Sequence, residues 1–341
     1  MHIRRCLAAL LLCCLLPLGL NGCAEQQPPT FRIGVALYSQ GDTFISSVAQ
    51  KMDRLAKEEE QKRGIKINVT LADGEHSQSV QNEQVDRFLH QGYDVICVNI
   101  VDRTAAAVIV DKAQRADVPV IFFNREPVQE DLDRWEYAYY VGAQAMQAGQ
   151  MQGQLVLDAW NRDREAIDRN GDGMLQYVVL EGEPGHQDTL LRTEYSVKLL
   201  QEAGVSLDRL GNRTADWQRG KAKLKMTQWL EELDTGIEAV FANNDDMALG
   251  AIDACLESGM PPEELPLVVG VDATEAAVEA VQEGLMIGTI RNDGEGQAEQ
   301  MMRVACSLLE HEPLKNSVEL EDDHYIWLEY SPVTRETLRE E

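Results

Sequence analysis

Residues 31–100 read FRIGVALYSQGDTFISSVAQKMDRLAKEEEQKRGIKINVTLADGEHSQSVQNEQVDRFLHQGYDVICVNI, and the fold is decided here. Short β-branched runs at Arg32–Tyr38, Ile65–Leu71 and Val95–Ile100 alternate with longer stretches, Phe44–Lys62 and Ser77–Gln91. In the longer stretches apolar residues recur every three or four positions, the period of an amphipathic helix; the short runs have the texture of strands. Strand–helix–strand repetition predicts a parallel sheet covered on both faces by helices. Val118–Phe123 adds another strand-like run, and the texture then restarts. Leu175–Leu180, Val205–Leu210, Ala239–Ala242, Val268–Val271 and Met286–Ile290 read as strands, with helical stretches near 144–161, 187–203, 217–233, 245–258, 273–283 and 295–310 between them. Two such runs predict an α/β chain of two doubly wound lobes, and 341 residues suffice for both cores.

In open sheets of this kind ligands sit beyond the carboxyl ends of the strands. The unusual residues fall there: Tyr38, Asp42 and Phe44 after the first strand, Asn99 after the third, then His186, Asp188 and Arg192 after Leu180. Later strand ends supply Trp217, Asn243, Asn244, Asp272 and Asn292. Amides, ionised groups and aromatics suit a small polyhydroxylated ligand: hydroxyls donate and accept at once, while a sugar's C–H faces pack on rings. Each residue has a structural alternative. Asp42 or Asn244 could cap the following helix, Trp217 could be core, and His186 a loop residue. Position alone leaves the ligand open among small polar molecules.

The ends and the bulk composition narrow the class. His2, Arg4 and Arg5 precede an apolar run from Leu7 to Leu20, the length of a signal-peptide core and too short to span a bilayer comfortably. Residues 1–22 are therefore expected to be a leader. Leu20-Asn21-Gly22-Cys23 resembles the lipobox of bacterial lipoproteins, which predicts acylation of Cys23 and a membrane anchor. Residues 23–30 form a polar, proline-bearing tether. The alternative is a plain signal peptide that leaves the chain unanchored. The net charge of −27 disfavours nucleic acid and anionic lipid as partners. Cys97, Cys255 and Cys306 sit among apolar neighbours, which predicts buried thiols and not a metal site or nucleophile.

From Arg32 to about Glu329 the sequence resembles the periplasmic galactose/glucose-binding protein family. The stretches that carry the resemblance are GVALY at 34–38 with Asp42 and Phe44, NIVD at 99–102, VPVIFFNREP at 118–127 and YYVG at 139–142. They continue with EGEPGH at 181–186, ANND at 242–245, GVDA at 270–273, and Asn292-Asp293 followed by QAEQ at 297–300. The resemblance implies that Phe44 and Trp217 stack on opposite faces of a hexose. It implies that Asp42 meets the 4-hydroxyl, and that Asn99, His186, Asp188, Arg192, Asn244, Asp272 and Asn292 bond the remaining oxygens, with Tyr38 at the edge through water. It further implies a monomer that closes about a hinge and docks on a permease of the ATP-binding-cassette type and, in some members, on a chemoreceptor. The chain is expected to cross between lobes near 119, 292 and 328. The expected first lobe is then 31–119 plus 292–327, and the second 120–291 plus 328–341.

A second motif, DRNGDGMLQ at 168–176, places Asp168, Asn170, Asp172, the Met174 carbonyl and Gln176 at the spacing of a calcium loop, with glycine at the sharp turn. The twelfth place falls on Val179, which cannot ligate; the resemblance supplies Glu238 instead. A polar turn without metal is the alternative. No nucleophile in a recognisable turn, phosphate cradle or zinc spacing is present, so no enzyme is expected. A glycosidase built on Asp42 and Asp272, a receptor for another monosaccharide or a β-galactoside, and a sugar-responsive transcription factor are the alternatives. The last lacks a basic helix-turn-helix segment.

Overall fold

The computed structural model describes residues 29–233 and 236–340; the leader, Cys23 and most of the tether lie outside the described residues. Among the described residues twelve strands fall into two sheets of six. The first is built from β1 (Thr30–Leu37), β2 (Lys66–Asp73), β3 (Val95–Val98), β4 (Val120–Phe123), β5 (Ala138–Ala143) and, from far along the chain, β11 (Tyr325–Leu328). Its order is β11-β5-β4-β3-β1-β2, parallel throughout. The second holds β6 (Leu175–Glu181), β7 (Leu207–Thr214), β8 (Ala239–Ala242), β9 (Leu267–Asp272), β10 (Gly288–Arg291) and β12 (Ser331–Val333). Its order is β12-β10-β9-β8-β6-β7, parallel except for the antiparallel β12 edge.

Every residue of β3, β4 and β8 is buried, as expected of strands covered on both faces, which is why they read as unbroken apolar runs. Helices are fixed by their caps. Asp42 accepts from the Ile45 main chain at the start of Thr43–Arg63, and Gly64 closes that helix with φ 65°. Cys97, Cys255 and Cys306 are buried and free; burial pushes their thiols up to about 12, 11 and 11.

One expected crossing point is corrected. The chain does not leave the first lobe at 119. Val120, Ile121 and Phe122 pair with Ile96, Cys97 and Val98, and β4 pairs in turn with β5. The first crossing follows Ala143, and the helix Ala145–Arg162 packs in the second lobe, against Gln187–Glu202. The reason is physical: a strand buried on both faces carries no mark of which sheet it joins, because membership is set by its neighbours. Later crossings follow β10, since the helix Gly294–Leu309 packs on Thr43–Arg63, and follow β11, since β12 returns to the second sheet. Among the described residues no helix is long and apolar enough to cross a membrane.

Candidate functional site

The carboxyl ends of both sheets face one cleft. Tyr38, Asp42, Phe44, Ile45, Asn124 and Arg125 of the first lobe line it, with His186, Asp188, Arg192, Trp217, Asn244 and Asp272 of the second. The space between them, counted together with the open solvent at its mouth, is about 330 Å³. The lobes also touch directly: Thr43 Oγ1 donates to Asp246 Oδ2 at 2.7 Å, Gln187 Nε2 to Glu126 Oε2 at 2.8 Å, and Arg125 Nη2 to Glu183 Oε2 at 2.9 Å. The arrangement is closed.

Each lining residue is set by local structure. Asp42 is at once the cap of its helix and the acceptor of the Tyr38 hydroxyl at 2.6 Å. Asn244 caps Asp245–Glu257 through its oxygen, while its Nδ2 donates to the Trp217 carbonyl at 3.3 Å. The capping and cleft-lining readings of these residues therefore hold together. Trp217 stands on a turn in which Asp216 and Trp217 have φ 49° and 64°, and its ring lies on Gly182, where an added Cβ would come within 2.1 Å of it. His186 stacks edge-on to Trp217, centroids 5.1 Å apart.

The electrostatics are near balance, with Asp42, Asp188 and Asp272 against Arg125 and Arg192. Burial pushes the Asp188 carboxyl up, and Arg192, 2.7 Å away, pulls it back down. Arg192 also donates to the Asn243 carbonyl at 2.8 Å and the Tyr330 hydroxyl at 3.1 Å. Burial first, then the Arg125 and Arg192 charges, hold His186 well below its ordinary value. Its Nδ1 accepts from the Asp188 main chain at 3.1 Å, so the neutral ring carries its proton on Nε2. Burial drives Asp272 well upward, with Arg192 opposing. Burial and then Asp42 also raise Tyr38, keeping it a neutral donor. Trp217 Nε1 and Arg192 Nε are buried donors without an acceptor in the protein, a condition that native structures rarely leave unexplained.

Two expected site residues are not among the side chains that line this space, although Asn99 Oδ1 is a buried acceptor without a donor in the protein. Asn99 is buried and donates to the Phe123 carbonyl at 3.0 Å and to Asn124 at 3.3 Å; Asn292 donates to Asp272 Oδ1 at 3.3 Å and accepts from Gln297 at 2.8 Å. Arg125 was missed as a lining residue. Its guanidinium lies 3.4 Å from the centroid of the Tyr38 ring and pairs with Glu183 across the cleft. Its position just past the β4 end was the available signal.

The expected metal loop, 168–176, precedes β6 at the end of the second sheet opposite the cleft. Asp168 Oδ2 accepts from Gly173, Asn170 Oδ1 from Asp172, and Asp172 Oδ1 from Met174. Glu238 reaches the loop through the Arg169 and Gln176 main-chain amides at 2.7 and 2.9 Å. Among the described residues no three carboxylate, imidazole or thiolate groups converge closely enough to hold an ion by themselves. The buried oxygens Asp168 Oδ1 and Gln176 Oε1 lack any donor. An oxygen set of carboxylate, amide and carbonyl groups fits a hard cation.

Residues 33–313 match the family model described as the periplasmic binding protein domain. The D-galactose/methyl-galactoside binding periplasmic protein of Haemophilus influenzae is 35% identical over 90% of each chain. The ribose import binding protein of Bacillus subtilis is 26% identical over 78% of this chain and 77% of its own. An ABC transporter solute binding protein from Bacillus halodurans, solved with bound myo-inositol, superposes with a TM-score of 0.75 at 28% identity, covering 92% of this chain and 98% of the other. These relatives and this fold are those of substrate-binding proteins and not of enzymes. The chain belongs to the periplasmic binding protein family and is a relative of its D-galactose/methyl-galactoside-binding member.

Proposed function

We propose that this protein captures a free hexose, glucose or galactose, between its closing lobes outside the cytoplasm and delivers it to an ABC-type sugar permease. The observation that carries the reading is the cavity wall. Phe44 and Trp217, one aromatic side chain from each lobe, stand among three carboxylates, two amides, two guanidinium groups and a neutral imidazole. Charge-assisted bonds in a dry cleft suit an uncharged polyhydroxylated ring. The buried N–H groups of Trp217 and Arg192 gain their acceptors from sugar oxygens, and His186 Nε2 donates to another. Because the ligand touches both lobes only when they close, its binding energy shifts the population to the closed form. The permease then reads that form; a chemoreceptor is the second docking partner. Cys23 carries the lipid anchor.

Asn99 and Asn292 bond remaining sugar oxygens, Asn99 through the oxygen that lacks a donor in the protein, while they also orient Asn124 and Asp272. Asp168, Asn170, Asp172, Gln176, Glu238 and the Met174 carbonyl hold a structural Ca²⁺. The ion supplies charge to knit the loop to the strand leading to β8.

A cyclic polyol or pentose is the second reading, favoured by the myo-inositol-bound structure and the ribose-binding relative. Calorimetric titration of the sugar-free protein with glucose, galactose, ribose and myo-inositol decides. Tight one-to-one binding of a hexose, lost in Trp217→Ala and Asp272→Ala, supports the proposal. Binding of only ribose or myo-inositol replaces it.

A further inference from the structure

Asp245 is fully buried and does not line the cavity. It opens the helix Asp245–Glu257, yet its carboxylate reaches across to the neighbouring strands. Oδ1 accepts from Thr289 Oγ1 in β10 at 2.5 Å, and Oδ2 accepts from the Thr274 main chain, just past β9, at 2.7 Å. Thr289 Oγ1 in turn accepts from the Ala273 main chain at 3.3 Å. The approach depends on Gly270: a Cβ there would lie 2.3 Å from Asp245 Oδ1. A helix-start aspartate that merely complements the helix dipole needs none of this.

The strapped segment carries a ligand-facing carboxylate. Asp272 has φ 117° and Ala273 φ 52°, backbone conformations that are strained for a side-chain-bearing residue and persist only where the surroundings over-determine them. Both strap bonds fall on the peptide groups that follow Asp272, and Asn292 holds its side chain from behind.

We infer that Asp245, with Thr289 and the missing side chain at Gly270, is the positioning device that holds the strained Asp272 turn in its ligand-accepting conformation. It thereby sets which hydroxyl pattern is accepted, without itself touching the ligand. The inference rests on the hexose reading of the cleft.

The test is calorimetric titration of wild type, Asp245→Asn, Thr289→Val, Thr289→Ser and Asp272→Asn with glucose, galactose and each singly deoxygenated glucose. Asp245→Asn and Thr289→Val are expected to weaken glucose binding about ten-fold, while Thr289→Ser, which restores the hydroxyl, stays near wild type. The loss should vanish for the one deoxyglucose on which Asp272→Asn also has no effect. Equal loss across the whole series, or no loss in either variant, overturns the inference. If Asp245→Asn does not fold, Thr289→Val and its serine rescue carry the same comparison. A wild type that binds no hexose sinks the hexose reading and the inference with it. A wild type that binds tightly while both variants match it sinks the positioning role alone.

Discussion

Asp42 serves two masters, and the two can be separated. Its Oδ1 caps the first helix and its Oδ2 takes the Tyr38 hydroxyl at the cleft wall. Asn caps as well as Asp, whereas Ala costs about 1 kcal/mol. Asp42→Asn should therefore keep the unfolding midpoint of the sugar-free protein while weakening hexose binding about ten-fold or more, by losing a charged acceptor. Asp42→Ala should lose both. An asparagine variant with unchanged affinity would show that the cap is the whole role. Asp245 gives a pH signature. Burial pushes its carboxyl well up, with Thr289 and Thr274 opposing and Asp246 adding, and it titrates together with the buried Asp272. The folded chain thus holds a proton that the unfolded chain releases near pH 4. That contribution is complete below about pH 4 and is lost as pH rises through the raised folded value. The stability of wild type relative to Asp245→Asn, from urea unfolding of the sugar-free protein, should fall between pH 4 and 8; a flat difference contradicts it. What the sequence conveys at this scale is the residue after a strand end. Asp42, Trp217, Asn244 and Asp272 were legible by that rule. Arg125 obeys it too, but an arginine past a strand also reads as solvated surface. Asn99 and Asn292 obey it as well, but their amides also bond neighbours in the protein, a partnership that no spacing reveals.

At the scale of elements, alternating texture gave strands and helices well but not their partners. The first sheet takes β11 from nearly two hundred residues beyond β5, through pairs such as Tyr325 with Tyr140 and Trp327 with Gly142. Neither β5 nor β11 has the alternation of a half-exposed strand, and β12 is only three residues long. The boundary near 119 failed for the same reason. Between the lobes, elements meet through a few polar contacts, among them the partly buried Arg125–Glu183 pair. Arg125 is 4% exposed, Glu183 24%. His76 Nδ1 adds a contact to Glu183 at 3.1 Å. These contacts exist only in the closed arrangement, so they bias closure without reading the sugar. Glu183→Gln is expected to weaken glucose and galactose by the same factor, about five- to ten-fold, as for a partly buried charged hydrogen bond. The ratio of the two dissociation constants should stay within two-fold of wild type. A changed ratio would mean that Glu183 acts on the ligand and not on the hinge.

Across the whole molecule, the two poles of the second lobe divide stability from recognition. The cleft lies past Glu181 and the 168–176 loop runs into the first two residues of β6, so most of that strand, about 3.3 Å per residue, separates the two. A cation at that loop is too far to touch the ligand. Its effect should be on unfolding alone. Asp168 Oδ1 and Gln176 Oε1 have no donor in the protein, and burial pushes the Glu238 carboxyl up, with the Gln176 and Arg169 amides opposing and Asp168 and Asp172 adding. A divalent ion bound there would relieve all three. At a hundred times its dissociation constant, a ligand that binds only the folded chain contributes about 2.7 kcal/mol. For a lobe of this size that is a rise of about 5–10 °C in midpoint. Scanning calorimetry of the chelator-treated protein with and without millimolar calcium should give that rise, and Asp168→Ala should abolish it. Hexose affinity should differ by less than two-fold in all of these states. An unchanged midpoint would make the loop a polar turn and nothing more, whereas a calcium-dependent affinity would show that the poles are coupled through β6 after all.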